Sequence, residues 1–205
     1  MSDIEEALSQ IADIKAQLMA STRFRGFAPG TLVAVAIVCA LATVAQLLWP
    51  SKFAGSTMEY VEFWAIVLSG TALFLAVEAF SRSRILHGAM SGAMLVATLR
   101  QLLPFAAAQL VISIVICRNA PESAWLLPGL WQIIVALVGF CALTNLPRTI
   151  MWAAAWFFLC GTFVLLMAGT QQGLSPWMMG VPFTIGYALI ALILYRSQSE
   201  GHARA

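Results

Sequence analysis

Six apolar runs, each about 20 residues long, follow one another after residue 27 with only short polar breaks between them. Nothing else in the chain limits the fold as tightly. The hydrocarbon layer of a bilayer is about 30 Å thick and a helix rises about 1.5 Å per residue, so each run can cross it. The expected fold is an all-α integral membrane protein. Its transmembrane helices are placed at about 28–49, 61–80, 102–117, 124–144, 149–169 and 176–195. Around this bundle, residues 28–195, stand a cytosolic leader helix over 1–27 and a cytosolic tail over 196–205.

Little is left for anything else. Of 205 residues, 61% are apolar and 10% charged, and the mean hydropathy is +0.88. Soluble domains sit near half apolar and a quarter charged. The leader is too short to bury a core of its own, so no separate soluble catalytic module is expected. A net charge of +2 without a basic cluster gives no footprint for nucleic acid. Cys39, Cys117, Cys141 and Cys160 lie in or at the edge of apolar runs and form no CxxC, so they read as small packing residues. The first run begins near Ala28 and is a full span, which reads as an uncleaved signal anchor.

Lys and Arg set the orientation. With the N-terminus in the cytosol, the inner segments carry Lys15, Arg23, Arg25, Arg82, Arg84, Arg100, Arg148, Arg196 and Arg204, and the outer loops only Lys52 and Arg118. That is the positive-inside bias, and it puts both termini in the cytosol. Compact loops with this bias fit a bacterial inner membrane. Trp49, Trp64, Trp125 and Trp177 fall near the outer ends of their spans, and Trp152 and Tyr195 near the inner ends, as an aromatic belt requires.

The leader has the pattern of an amphipathic helix. Ser2 with Glu5 makes a capping box, and Asp3, Glu5 and Glu6 suit the positive end of the helix dipole. Ile4, Ala7, Ile11, Ile14 and Leu18 then follow heptad spacing. Two readings stand: residues 3–20 dock a protein partner or a second copy, or the helix packs beneath the bundle or rests on the membrane surface. The third span is irregular. Residues 85–99 are moderately apolar, and Pro104 cannot donate to the carbonyl of Arg100. An interfacial helix over 85–99, a break near Pro104 and then the span are expected, with Arg100 snorkelling to the inner surface.

Ionisable and polar groups inside a membrane are costly and therefore candidates for function. Glu78 precedes Arg82 by four residues, the favourable order for a helix ion pair, and reads either as an interfacial pair or as a proton or cation site. Gln46 and Glu62 lie near the outer ends of their spans, within reach of water. Gln109 and Gln132 lie deeper and should face inward, as interhelical clamps or as substrate contacts. The steps Ala36 to Ala40 and Gly88 to Gly92 permit close helix approach.

Enzyme readings lack parts. No span contains a histidine to partner a serine, there is no HExxH, and beyond the leader there is no aspartate to hold a metal. Catalytic residues, metal ligands and cofactor sites are all expected to be absent.

The two halves echo each other. Pro29-Gly30 and Cys39-Ala40-Leu41 of span one match Pro128-Gly129 and Cys141-Ala142-Leu143 of span four. Pro104-Phe105 with Arg118 matches Pro182-Phe183 with Arg196. An inverted 3+3 repeat would follow, which is a transporter plan, and would put a site near Pro104, Gln109, Pro182, Gly186 and Tyr187. Two functions therefore remain open. One is a non-enzymatic subunit or partner of a membrane complex, acting through the leader and helix faces. The other is a small-solute permease or a transporter's substrate-binding subunit. In size and span number the chain resembles the substrate-binding components of vitamin-uptake systems, and Ala36 to Ala40 resembles their small-residue coupling step.

Overall fold

The computed structural model describes residues 28–53, 55–87, 91–142, 148–168 and 174–202. The leader, with Ile4, Ile11, Ile14 and Leu18, lies outside the described residues, as does Gly88. Within them the chain is helical, without a strand. Six long helices are α1 Pro29–Leu48, α2 Thr57–His87, α3 Ser91–Asn119, α4 Leu127–Cys141, α5 Ile150–Ala168 and α6 Trp177–His202. A single turn, Pro50–Phe53, links α1 to α2, and a 3-10 segment, Pro121–Leu126, leads into α4.

Local chemistry sets several of these boundaries. Ala28 is extended and Pro29 occupies the first turn of α1, where its missing N–H would have had no partner. Trp49 leaves the helical region because the following Pro50 disfavours it there. A reciprocal capping box starts α2: Glu59 N donates to Ser56 Oγ at 3.2 Å, and Ser56 N to Glu59 Oε2 at 3.1 Å.

All six helices are long and apolar enough to cross a membrane, over Pro29–Leu48, Thr57–Arg82, Leu102–Asn119, Pro121–Cys141, Ile150–Ala168 and Trp177–Ser197. The chain is a polytopic, all-α membrane protein. Its helices run alternately up and down, so one end of the bundle gathers the Pro50 turn, the 3-10 segment and the start of α6. Arg82, Arg100, Arg148 and Arg196 fall toward the other end.

The helices are not equally embraced. In the α1, α4 and α6 windows 39% of residues are buried and in α5 33%, against 17% in α2 and none in α3. The tightest seam is between α4 and α5. A Cβ on Gly129 would stand 2.9 Å from the Gly161 carbonyl oxygen, and one on Gly161 would stand 2.8 Å from that of Gly129. Further along, Gly139 faces Ala154. Glycine is needed here because two backbones touch. α1 and α6 form the second close pair, with Gly180 pressed against the Thr43 side chain and Leu32 clustered with Ala191 and Leu194.

Two expectations meet a different arrangement. Residues 85–99 do not form a separate helix: 85–87 end α2 and 91–99 are the first turns of α3, which stays helical through Pro104. A proline costs one backbone bond and some crowding, which a long helix absorbs. At the C-terminal side α6 continues to His202, with no proline or glycine between Gly186 and Gly201 to end it. The halves also pack unlike each other. α4 and α5 touch backbone to backbone, whereas their counterparts under a repeat, α1 and α2, meet at one end through side chains. The sequence echo therefore has no matching packing.

Candidate functional site

The polar groups of the bundle interior collect at the 3-10 end, where α1, α2, α4 and α6 converge. Gln46 ends α1 and is wholly enclosed, at 0% exposure. Its Oε1 accepts from Trp64 Nε1 at 2.8 Å, and its Nε2 donates to the Phe53 carbonyl at 2.9 Å. This departs from the expectation that Gln46 reaches water. The Pro50 turn folds back over the end of α1 and brings Phe53 O to it. Trp64, read as a belt residue, is likewise fully buried, whereas Trp49, Trp152, Trp177 and Tyr195 are exposed. Glu62, on α2 beside them, is exposed as expected.

Next to this pair, Tyr60 Oη donates to the Ser175 carbonyl at 3.1 Å, tying α2 to the approach to α6. Gln132 of α4, also fully buried, donates from Nε2 to the Met178 carbonyl at 2.8 Å and lies 3.5 Å from Met179 Sδ. Its Oε1 has no hydrogen-bond partner among the described residues. Trp156 of α5 donates to the Pro182 carbonyl at 3.0 Å. Below lies an aromatic column, in which Trp64 stacks on Phe183 with centroids 6.5 Å apart. Phe183 meets Phe157 at 5.2 Å and Tyr187 at 6.1 Å.

The sequence-derived candidates separate into three places. Gln132, Pro182, Gly186 and Tyr187 gather around the first half of α6. Gly186 is pressed against the Phe157 ring, and half-buried Tyr187 borders the same ring. Pro104, Gln109 and Arg100 stay apart on α3. Pro104 and Arg100 are exposed, and Gln109 is half-buried rather than inward-facing at depth. There the Gln109 carbonyl accepts from Ser113 Oγ at 2.7 Å, and Ser113 Oγ accepts from Trp131 Nε1 at 2.9 Å. Glu78 lies toward the opposite end and pairs with Arg82 at 2.6 Å, both partly exposed.

Sequence reasoning missed Gln46 and Trp64 as partners and Gly129 with Gly161 as a seam. The spacing Gly129–Gly139 against Ala154–Gly161 was a usable signal for two antiparallel helices in close contact. Nothing local pointed to the Gln46–Trp64 bond.

Chemically, the cluster offers amides, indoles, the phenols of Tyr60 and Tyr187, and backbone carbonyls. These are groups that exchange hydrogen bonds and hold helices, without a nucleophile and base in contact. Among the described residues no three His, Cys, Asp or Glu side chains are grouped to hold a metal ion, and none of the four cysteines is disulfide-bonded. Fold and cluster define a six-span, all-α membrane protein with an interior closed by hydrogen bonds. No family model matches the chain, and neither a curated protein nor a solved structure matches it.

Proposed function

We propose that this protein is a non-enzymatic subunit or partner of a membrane complex, docking through its outlying helices and its leader. The observation that carries the reading is α3. Its membrane window has no buried residue, and Ala106, Ala107 and Ala108 lie exposed on it. Membrane helices associate through close packing at small residues, and here such residues face outward. The aromatic column fills the interior between α1, α2, α5 and α6, which favours a docking role over the alternative of a small-solute permease.

The same reading places both termini in the cytosol of a bacterial inner membrane. Its support is the charge at the two ends: Arg82, Arg100, Arg148 and Arg196 at one, with Lys52 and Arg118 beside Glu59, Glu62 and Glu122 at the other.

The test is affinity purification of the tagged protein in mild detergent, followed by native mass spectrometry. A stoichiometric second protein, lost when residues 1–20 are deleted or when Ile11 and Leu18 become Asp, is the expected result. A bundle without a partner that retains a small molecule, and whose retention depends on Gln109 or Tyr187, would overturn the proposal in favour of transport.

A further inference from the structure

Pro182 has no N–H, so the carbonyl four residues earlier, that of Met178, has no donor in the α6 ladder. It finds one from another helix, because Gln132 Nε2 of α4 donates to Met178 O at 2.8 Å. Gln132 is 0% exposed, so donor and acceptor meet away from water, where an unpaired carbonyl is costly. Two nearby carbonyls that are not robbed of a backbone donor also accept from other helices, Ser175 O taking Met178 N at 3.0 Å as well. Pro182 O accepts from Trp156 Nε1 of α5 at 3.0 Å, and Ser175 O accepts from Tyr60 Oη of α2 at 3.1 Å. Three helices thus grip α6 and its approach by backbone carbonyls, one of which, Met178 O, lacks its ladder donor.

We infer that residues 175–182 form a latch. Pro182 removes one rung of the α6 ladder, and Gln132 supplies from α4 the hydrogen-bond donor that Pro182 lacks. The surroundings suit a segment seated by its neighbours. Gly180 carries no side chain where Thr43 of α1 fills the space, and Gly186 none where the Phe157 ring does. A side chain at either point would push α6 away from α1 or α5. The amide is used at one end only, since its Oε1 has no hydrogen-bond partner among the described residues. What the position uses is the donor, so a side chain of like size without one forfeits the latch while filling the same space.

The two residues must therefore be coupled. Gln132→Met removes the donor and keeps the volume. Pro182→Ala returns an N–H to the α6 ladder and makes the α4 donor redundant. Hydrogen exchange by mass spectrometry on the full chain in lipid nanodiscs, for the wild type, each single variant and the double variant, reads this directly. In Q132M, exchange in peptides covering residues 174–186 should quicken roughly tenfold, while peptides from α5 stay unchanged. In the P182A background the same change should alter exchange by less than about twofold. P182G, which also restores the N–H, replaces P182A if the latter does not fold. A Q132M protein that folds only beside P182A also meets the expectation. Equal acceleration in both backgrounds, no acceleration in either, or failure of Q132M to fold in both would overturn the latch.

Discussion

Four spans of this protein and the other two are held by different means. α1, α4, α5 and α6 meet through glycines, a threonine and buried amides, and a third or more of each membrane window is enclosed. α2 is enclosed mainly at its Tyr60–Trp64 end, and α3 leans on the rest through the Ser113–Trp131 bond with nothing in its window buried. Hydrophobicity does not explain the contrast, because all six windows are apolar enough to cross a bilayer. In lipid, apolar surface gains little by moving from acyl chains to another helix. What sorts core from flank is whether backbones can approach and whether polar groups find partners. Gln132 and Gln109 make the point together. They are two amides on consecutive spans, one wholly buried and clamping α6, the other half-buried on the outlying helix.

The comparison breaks most readily at its tightest point. Gly161→Leu should separate α4 from α5 and cost about 3 kcal/mol, enough to lose most folded protein in a detergent thermal-unfolding assay. The matching change on the flank, Ala107→Leu, should cost under about 0.5 kcal/mol in the purified protein. Comparable losses from both would mean that α3 is covered by something in the purified particle, and the contrast would then dissolve. Next in size is Trp64→Phe. It removes the donor to Gln46 Oε1 and leaves a small void among fully buried side chains, for about 2 kcal/mol. An unchanged unfolding midpoint would show that the Gln46–Trp64 bond does not hold the 3-10 end together.

Much of this arrangement was legible in the sequence, and the remainder was hidden for identifiable reasons. Span number follows from run length, because no other arrangement suits apolar stretches of that size. The Glu78–Arg82 pair followed from spacing on one helix. Gln46 and Trp64 stayed hidden because their bond crosses two helices, and its second half depends on Phe53 folding back in the Pro50 turn. Pro104 and Pro182 look alike in sequence, each four residues after a carbonyl it cannot serve. Only tertiary structure separates them: Pro182 is buried with Gln132 at hand, and Pro104 is exposed on a helix that continues through it. Hydropathy also could not reveal that α3 lies outside the core, since lipid and protein interior are equally apolar neighbours.

Two smaller changes sharpen the contrast from the flank side. Ser113→Ala removes the acceptor for Trp131 Nε1, the hydrogen bond that ties α3 to α4. Interhelical bonds in membranes average about 0.6 kcal/mol, so the midpoint should fall slightly, and α3 should lose exchange protection before any core helix does. Loss of protection in α4 and α5 as well would show that the flank supports the core. The smallest effect belongs to Glu78→Gln. Its partner Arg82 is 43% exposed and Glu78 28%, so water and salt screen the pair, which contributes about 0.3–0.5 kcal/mol as an i, i+4 helix pair. The wild type should lose that margin as salt rises from about 0.01 to 1 M, and the variant, having no pair to screen, should not respond. A drop several times larger, or one that salt leaves untouched, would mean that the carboxylate of Glu78 serves a buried site in the flank and not its own helix.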